Sequence, residues 1–236
     1  MAADLAALQG ELRIAARALA RGGLVHAYGH CSVRVDAQQF LVCAPKPMGT
    51  LLASDACDLV PVEGPLPEGV LGEVRIHQAI YRLRPELAAI CRIMPPQLGT
   101  LSLLRRTPRP RHGFGAYFAP QPPLWDDPRL LRDDAAAARL AGAMGGSKAI
   151  VMRANGAVVA GVSLVEAVAL SWFLEEAARV EVALMQMGQD GEHTLLSADE
   201  VIARQVTAGR VYERMWDYLS FGDPELPGDA DSPQKR

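Results

Sequence analysis

Apolar positions recur at helical spacing over residues 4–21. Leu5, Leu8, Leu12, Ala15, Ala16 and Leu19 share one face, and Gly22-Gly23 supplies the stop. Two short β-type runs follow, CSVRV (31–35) and FLVCA (40–44), separated by the turn-prone DAQQ. They predict a hairpin or an adjacent strand pair. Lys46-Pro47-Met48-Gly49 reads as a loop because its flanking prolines oppose regular structure, and DLVPV (58–62) reads as a third strand.

Between Glu73 and Leu83 the residues Ile76, Ile80 and Leu83 mark one face of a helix. ELAAICRIM (86–94) then reads as a buried strand ended by Pro95-Pro96, followed by a short helix over 97–104. Residues 105–128 are rich in proline and predict a long loop with one strand at GAYFA (115–119). An acid-capped helix is expected from Asp133 to Met144, then the strand KAIVMR, the turn ANG and the strand AVVAG. Ser163 starts a long helix to about Met187, and its spacing from Glu166 fits a capping box. Helices over 197–208 and 210–220 close a single domain spanning 1–222. The tail from 223 to 236 carries no apolar periodicity and is expected to be disordered.

Half of the 236 residues are apolar and 22% are charged, so the chain has enough apolar surface for a buried core. A net charge of −3 and a pI near 6.0 give no electrostatic reason to expect nucleic acid or an acidic membrane as partner. One basic run stands out: Arg105, Arg106, Arg109, Arg111 and His112. It is read either as a solvated, proline-broken loop or as an anion contact. No stretch of about 18 apolar residues is present, and the start lacks the apolar core of a signal peptide. Four scattered cysteines without a paired motif (Cys31, Cys43, Cys57, Cys91) are expected as reduced thiols in a cytoplasmic protein.

Four stretches, in order, resemble the class II aldolase/adducin family. GLVHAYGHCSVRV is similar to the family's phosphate loop entering a strand. GEVRIHQAIYRLRPELAAI matches a glutamate-led helix, an arginine-proline turn and a central strand. GSKAIVMRANGAVVAGVSLVEA matches the strand-turn-strand-helix that carries the family's last metal ligand. SADEVIARQVTAGRVYERMWDYL resembles a branch containing decarboxylases of hydroxy-carboxylic acids. The resemblance implies one α/β/α domain with a central, mostly antiparallel sheet flanked by helices, and assembly into a homotetramer.

It also implies a divalent cation held by three imidazoles that polarises a carbonyl or enediolate oxygen. At the matching positions this chain has Arg92, Met94 and Asn155. A guanidinium has no lone pair and stays cationic, so it cannot be a ligand. Rebuilt sites from Glu73 with His77, or from His30 with Cys31, are both disfavoured: the first histidine usually packs behind the glutamate in the family, and strand neighbours face opposite ways. No metal and no other cofactor is therefore expected. Glu73 matches the family's acid/base glutamate. Beside it Arg92 is read either as one half of a structural ion pair or as an electrophile replacing the metal's charge. By the same resemblance His30, Ser32, Lys46, Met94, Asn155 and Tyr212 are the candidate substrate contacts, with core packing or solvent as the competing reading for several of them. The expected activity is a metal-independent lyase on a small carboxylated substrate, an aromatic or conjugated hydroxy or keto acid, with decarboxylation ahead of retro-aldol cleavage. The alternatives are a cofactor-free isomerase or cyclase, and a non-catalytic ligand-binding or scaffold homologue.

Overall fold

The computed structural model describes residues 4–226. Its first helix, α1 (Leu5–Arg21), is capped by Asp4, whose carboxylate accepts the Ala6 and Ala7 amides. Seven strands form one sheet in the order β3-β2-β1-β4-β7-β6-β5. They are β1 (His30–Arg34), β2 (Gln39–Val42), β3 (Asp58–Pro61), β4 (Ala89–Ile93), β5 (Leu124–Trp125), β6 (Ala149–Met152) and β7 (Ala157–Gly161). All pairings are antiparallel except β5 with β6. The expected hairpin is the β1–β2 pair, and its turn is closed by Asp36 accepting the Gln38 and Gln39 amides.

Because strand side chains alternate, the sheet has two apolar faces and two cores. Cys31 and Val33 of β1 and Ala89, Cys91 and Ile93 of β4 pack with α1 and with α5 (Leu164–Gln186). Ile90, Val158 and Ala160 on the other face pack with α2 (Arg75–Leu83) and α4 (Asp134–Met144). The same alternation puts His30, Ser32 and Arg92 on the α2 side, since each is two residues from, or directly paired with, a residue facing that way.

Several expectations are corrected. GAYFA is not a strand: Gly115–Phe118 form a 3-10 turn, with Gly115 packed close to the Arg109 and Pro110 backbone. Glu73 lies outside the helix it was expected to begin, in a 3-10 turn (Gly72–Val74) that runs into α2. The strand expected over 86–94 is confined to β4, and the helix over 97–104 is α3 (Pro96–Leu103), with proline in its first turn. The box at Ser163 is half formed. Ser163 accepts the Glu166 amide, but Glu166 turns to the Val162 amide and to Lys148. The reciprocal box belongs to Ser197 and Glu200, ahead of α6 (Ala198–Arg204). The last helix is α7 (Val211–Ser220).

Residues 223–226 belong to the fold, not to a disordered tail. Asp223 is bonded by Arg17 at 2.6 Å and Glu225 by Arg13 at 2.6 Å, because two arginines on the face of α1 need carboxylates there. The rest of the expected tail lies outside the described residues. The basic run also has a structural role. Arg106, Arg109 and Arg111 all reach the buried carboxylate of Glu181 on α5, and Arg105 pairs with Asp126. All four cysteines are free thiols. Among the described residues no helix is long and apolar enough to cross a membrane.

Candidate functional site

A cavity of about 580 Å³ opens at the C-terminal end of β4. Four segments converge there: the loop entering β1 (Ala27–His30), the Pro45–Pro47 loop, the Gly72–Val74 turn and the end of β4. Leu130, Arg132 and Asn155 complete the wall. Two glycines allow the approach. Gly156 adopts φ +71° in the turn between β6 and β7, where a Cβ would lie 2.0 Å from the Ile93 carbonyl oxygen. Gly29 adopts φ +127°, and a Cβ there would lie 2.9 Å from the Arg92 carbonyl oxygen. Both turns are thus pressed onto β4, which brings Asn155 and His30 to the same opening.

Arg92 forms the floor and is only 2% exposed. Its Nη1 donates to the Ile93 carbonyl at 2.9 Å, and its Nη2 lies 3.5 Å from Glu73 Oε2. The Nε–H has no partner. Burial pulls the pKa of Arg92 down and the Glu73 carboxylate pulls it back up, leaving a cation at any working pH. The other oxygen of Glu73 lies 3.5 Å from Asn155 Nδ2. Glu73 is therefore bracketed by two long contacts, and its side chain keeps some exposure to the cavity.

His30 pairs across the sheet with Arg92 and is 3% exposed, yet neither ring nitrogen has a hydrogen-bond partner. Burial, with the neighbouring guanidinium charge, pulls its pKa down to about 3, so the ring is neutral. Behind it stands His77 of α2, with ring centroids 4.6 Å apart. His77 Nδ1 is 2.6 Å from Ser32 Oγ, which is itself 2.9 Å from the Tyr81 hydroxyl. Burial lowers the His77 pKa and raises that of Tyr81, so this row is also uncharged.

Of the candidates read from the sequence, Glu73, Arg92, His30, Lys46, Met94 and Asn155 meet in this one cavity. Lys46 sits at its mouth, paired with Asp55 at 2.5 Å. Ser32 does not line the cavity; it is fully buried beneath His30 and holds His77. Tyr212 is on the other face of the sheet, packed with Tyr117 and Phe173 at centroid distances of 5.9 and 6.2 Å. Sequence reasoning missed Tyr28, Leu71, Leu130 and Arg132. Leu130 and Arg132 belong to an irregular segment without periodicity, and nothing local marks them as wall residues.

A guanidinium, a thioether and an amide do not fit a zinc-type cation, which prefers imidazole, thiolate or carboxylate. Among the described residues no group of three or more His, Cys, Asp or Glu side chains is placed to hold a metal. His77, weighed with Glu73 as a rebuilt pair, is turned to Ser32 and does not line the cavity.

A mostly antiparallel sheet between helical layers, with a cavity at the end of its central strand, defines the class of this α/β domain. The chain belongs to the class II aldolase and adducin family: the model of the class II aldolase and adducin N-terminal domain matches residues 11–182. It is 28% identical over 204 residues to 3,4-dihydroxyphthalate decarboxylase of Terrabacter sp. (strain DBF63), covering 80% of this chain and 83% of that protein. Among solved structures it is similar to L-fuculose-1-phosphate aldolase from Thermus thermophilus. There the TM-score is 0.68 and the identity 27%, over 78% of this chain and 97% of that one. The L-fuculose 1-phosphate aldolase from Glaciozyma antarctica PI12 shares the fold at a TM-score of 0.76, with 22% identity over 92% and 88% of the two chains.

Proposed function

We propose that this chain is a metal-independent lyase that decarboxylates a small aromatic or conjugated hydroxy or keto acid. Membership of the family and the likeness to a dihydroxyphthalate decarboxylase support lyase chemistry. The observation that carries the finer reading is Arg92, a buried cation in the cavity wall with one long carboxylate contact and an Nε–H without a partner. A buried guanidinium is costly unless something anionic meets it, and its planar fork matches a carboxylate or enolate.

In this reading Arg92 holds the acid group of the substrate together with the adjoining oxygen that gathers negative charge as the C–C bond weakens. That stabilisation costs no reorganisation, because the guanidinium is already in place. Glu73 delivers the proton. The pair of electrons from the broken C–C bond ends in a new C–H bond, and CO₂ leaves; a carboxylate and one proton become C–H and CO₂. Asn155 and Arg92 hold the two oxygens of Glu73, and Met94 and Lys46 bound the cavity around the ligand.

The test is a panel of hydroxy, keto and aromatic acids, followed first by thermal shift and then by CO₂ release. A bound acid stabilises the fold by mass action. We expect turnover of at least one aromatic acid that is unchanged by chelator. Activity lost with chelator and restored by zinc or manganese would overturn the metal-free reading. Stabilisation without turnover would select the ligand-binding homologue instead. For assembly we propose a homotetramer: Tyr218 and Phe221 are largely exposed in the single chain. Light scattering that reports a particle of 25.4 kDa at micromolar concentration would contradict it.

A further inference from the structure

We propose that His30 is a specificity-determining residue, a neutral imidazole that reads a hydroxyl group of the ligand directly beside the acid group held by Arg92. The inference rests on the reading of Arg92 as the acid holder. A buried polar side chain without partners is rare in a folded protein and calls for an explanation. His30 has two such atoms, is more than nine-tenths buried, and stands in the cavity wall. The side chains packed around it do not satisfy it. The ring of His77 lies against it without a hydrogen bond, and Arg92 on the neighbouring strand offers only donors and a positive charge. The cavity that His30 lines is the open space from which a partner can come.

The chemistry of the missing group follows from the ring. Neutral imidazole presents one donor and one acceptor nitrogen, and a hydroxyl, which can donate or accept a hydrogen bond, can pair with whichever of the two meets it. The position follows from the sheet. His30 and Arg92 are directly opposed residues of adjacent antiparallel strands, so their Cβ atoms are roughly 5 Å apart. Groups held by the two side chains must then be neighbours on the ligand, as an ortho-hydroxyl is to a ring carboxylate. A site built to bond a hydroxyl rejects the analogue without it, because its own polar atoms are left unpaired.

The experiment is calorimetric titration of the full chain with benzoate and with 2-hydroxybenzoate, for the wild type and for His30→Phe. His30→Met serves as the second apolar variant if the aromatic one does not fold. We expect the wild type to bind 2-hydroxybenzoate roughly tenfold more tightly than benzoate, the equivalent of one good hydrogen bond. The apolar variant should bind both alike, with benzoate affinity within about twofold of wild type. Its ligand-free melting temperature should equal or exceed that of wild type, since an unsatisfied buried group has been removed. A preference that persists in the variants, or no preference in the wild type, would overturn the role of His30 while leaving Arg92 as acid holder intact. Failure of the wild type to bind either probe would overturn both readings together.

Discussion

Two buried arginine–glutamate contacts in this molecule have opposite characters. Arg111 on the loop before the 115–118 turn meets Glu181 of α5 with Nε at 2.5 Å and Nη2 at 2.9 Å. Its remaining donors go to the carbonyls of Asp190 and Gly191 and to the Thr194 hydroxyl. Glu181 also accepts from Arg106 at 3.1 Å, so neither partner has capacity left over. Arg92 is buried at least as deeply as Arg111, yet its contact with Glu73 is 3.5 Å long and the Nε–H is unused. The first pair ties two loops to a helix. The second holds charge at a cavity with donors to spare. The difference teaches that burial of an ion pair does not by itself mark function; incomplete satisfaction beside a cavity is what makes the second pair the candidate.

The largest effect should come from breaking the saturated pair. Glu181→Leu strands Arg111 in the core and should cost roughly 3–5 kcal/mol in urea unfolding. A loss below about 1 kcal/mol would show that the network is ornamental and would remove one side of the contrast.

Acid should act next, and on the cavity side. His30 titrates at about 3 in the fold against an ordinary value of 6.5, and His77 is also lowered by burial. Below pH 6.5 the unfolded chain binds protons that the folded chain refuses, so stability falls as pH falls, and above that value these residues have no further effect. Between pH 6.5 and pH 5 His30 alone should contribute a loss of roughly 2 kcal/mol, at 1.36 kcal/mol per unit. In His30→Phe that share of the slope should vanish. An unchanged slope would mean that the ring is solvated, not buried.

Much of this fold is legible in the chain. The apolar periodicity of α1, the Ser163 start of α5 and the short β1–β2 pair need no tertiary information. The failures are local and physical. Alternation in GAYFA is too short to outweigh the close packing of Gly115 on the loop backbone, and the 3-10 turn of Glu73 hides because its pattern continues smoothly into α2. Convergence of Glu73, Arg92, Met94 and Asn155 is not readable from periodicity; it is implied by the family resemblance, and Gly156 at positive φ is what lets the Asn155 turn press onto β4. The resemblance implies Ser32 as a ligand contact, but one strand repeat beyond His30 that face is sealed by His77 and Tyr81. Asp223 and Glu225 carry no apolar signal at all, and only the arginines of α1 explain their order.

The smallest expected effect on stability is also the most informative. Arg92→Met should change unfolding free energy by less than about 1 kcal/mol, since Glu73 keeps access to the cavity and the lost contact is long. Adding Glu73→Leu should leave the protein as stable or more so.

The central claim is that the unused donors of Arg92 are reserved for an anionic ligand, and calorimetric titration of benzoate into wild type, Arg92→Met and Arg92→Lys tests it most directly. The methionine variant should lose about 1.5–3 kcal/mol of binding free energy, the worth of a charge-assisted contact. The lysine variant should recover part of that, because it restores the charge without the two-pronged geometry. Benzoate binding to Arg92→Met with wild-type affinity would contradict the claim and reduce the pair to a loosely made ion pair.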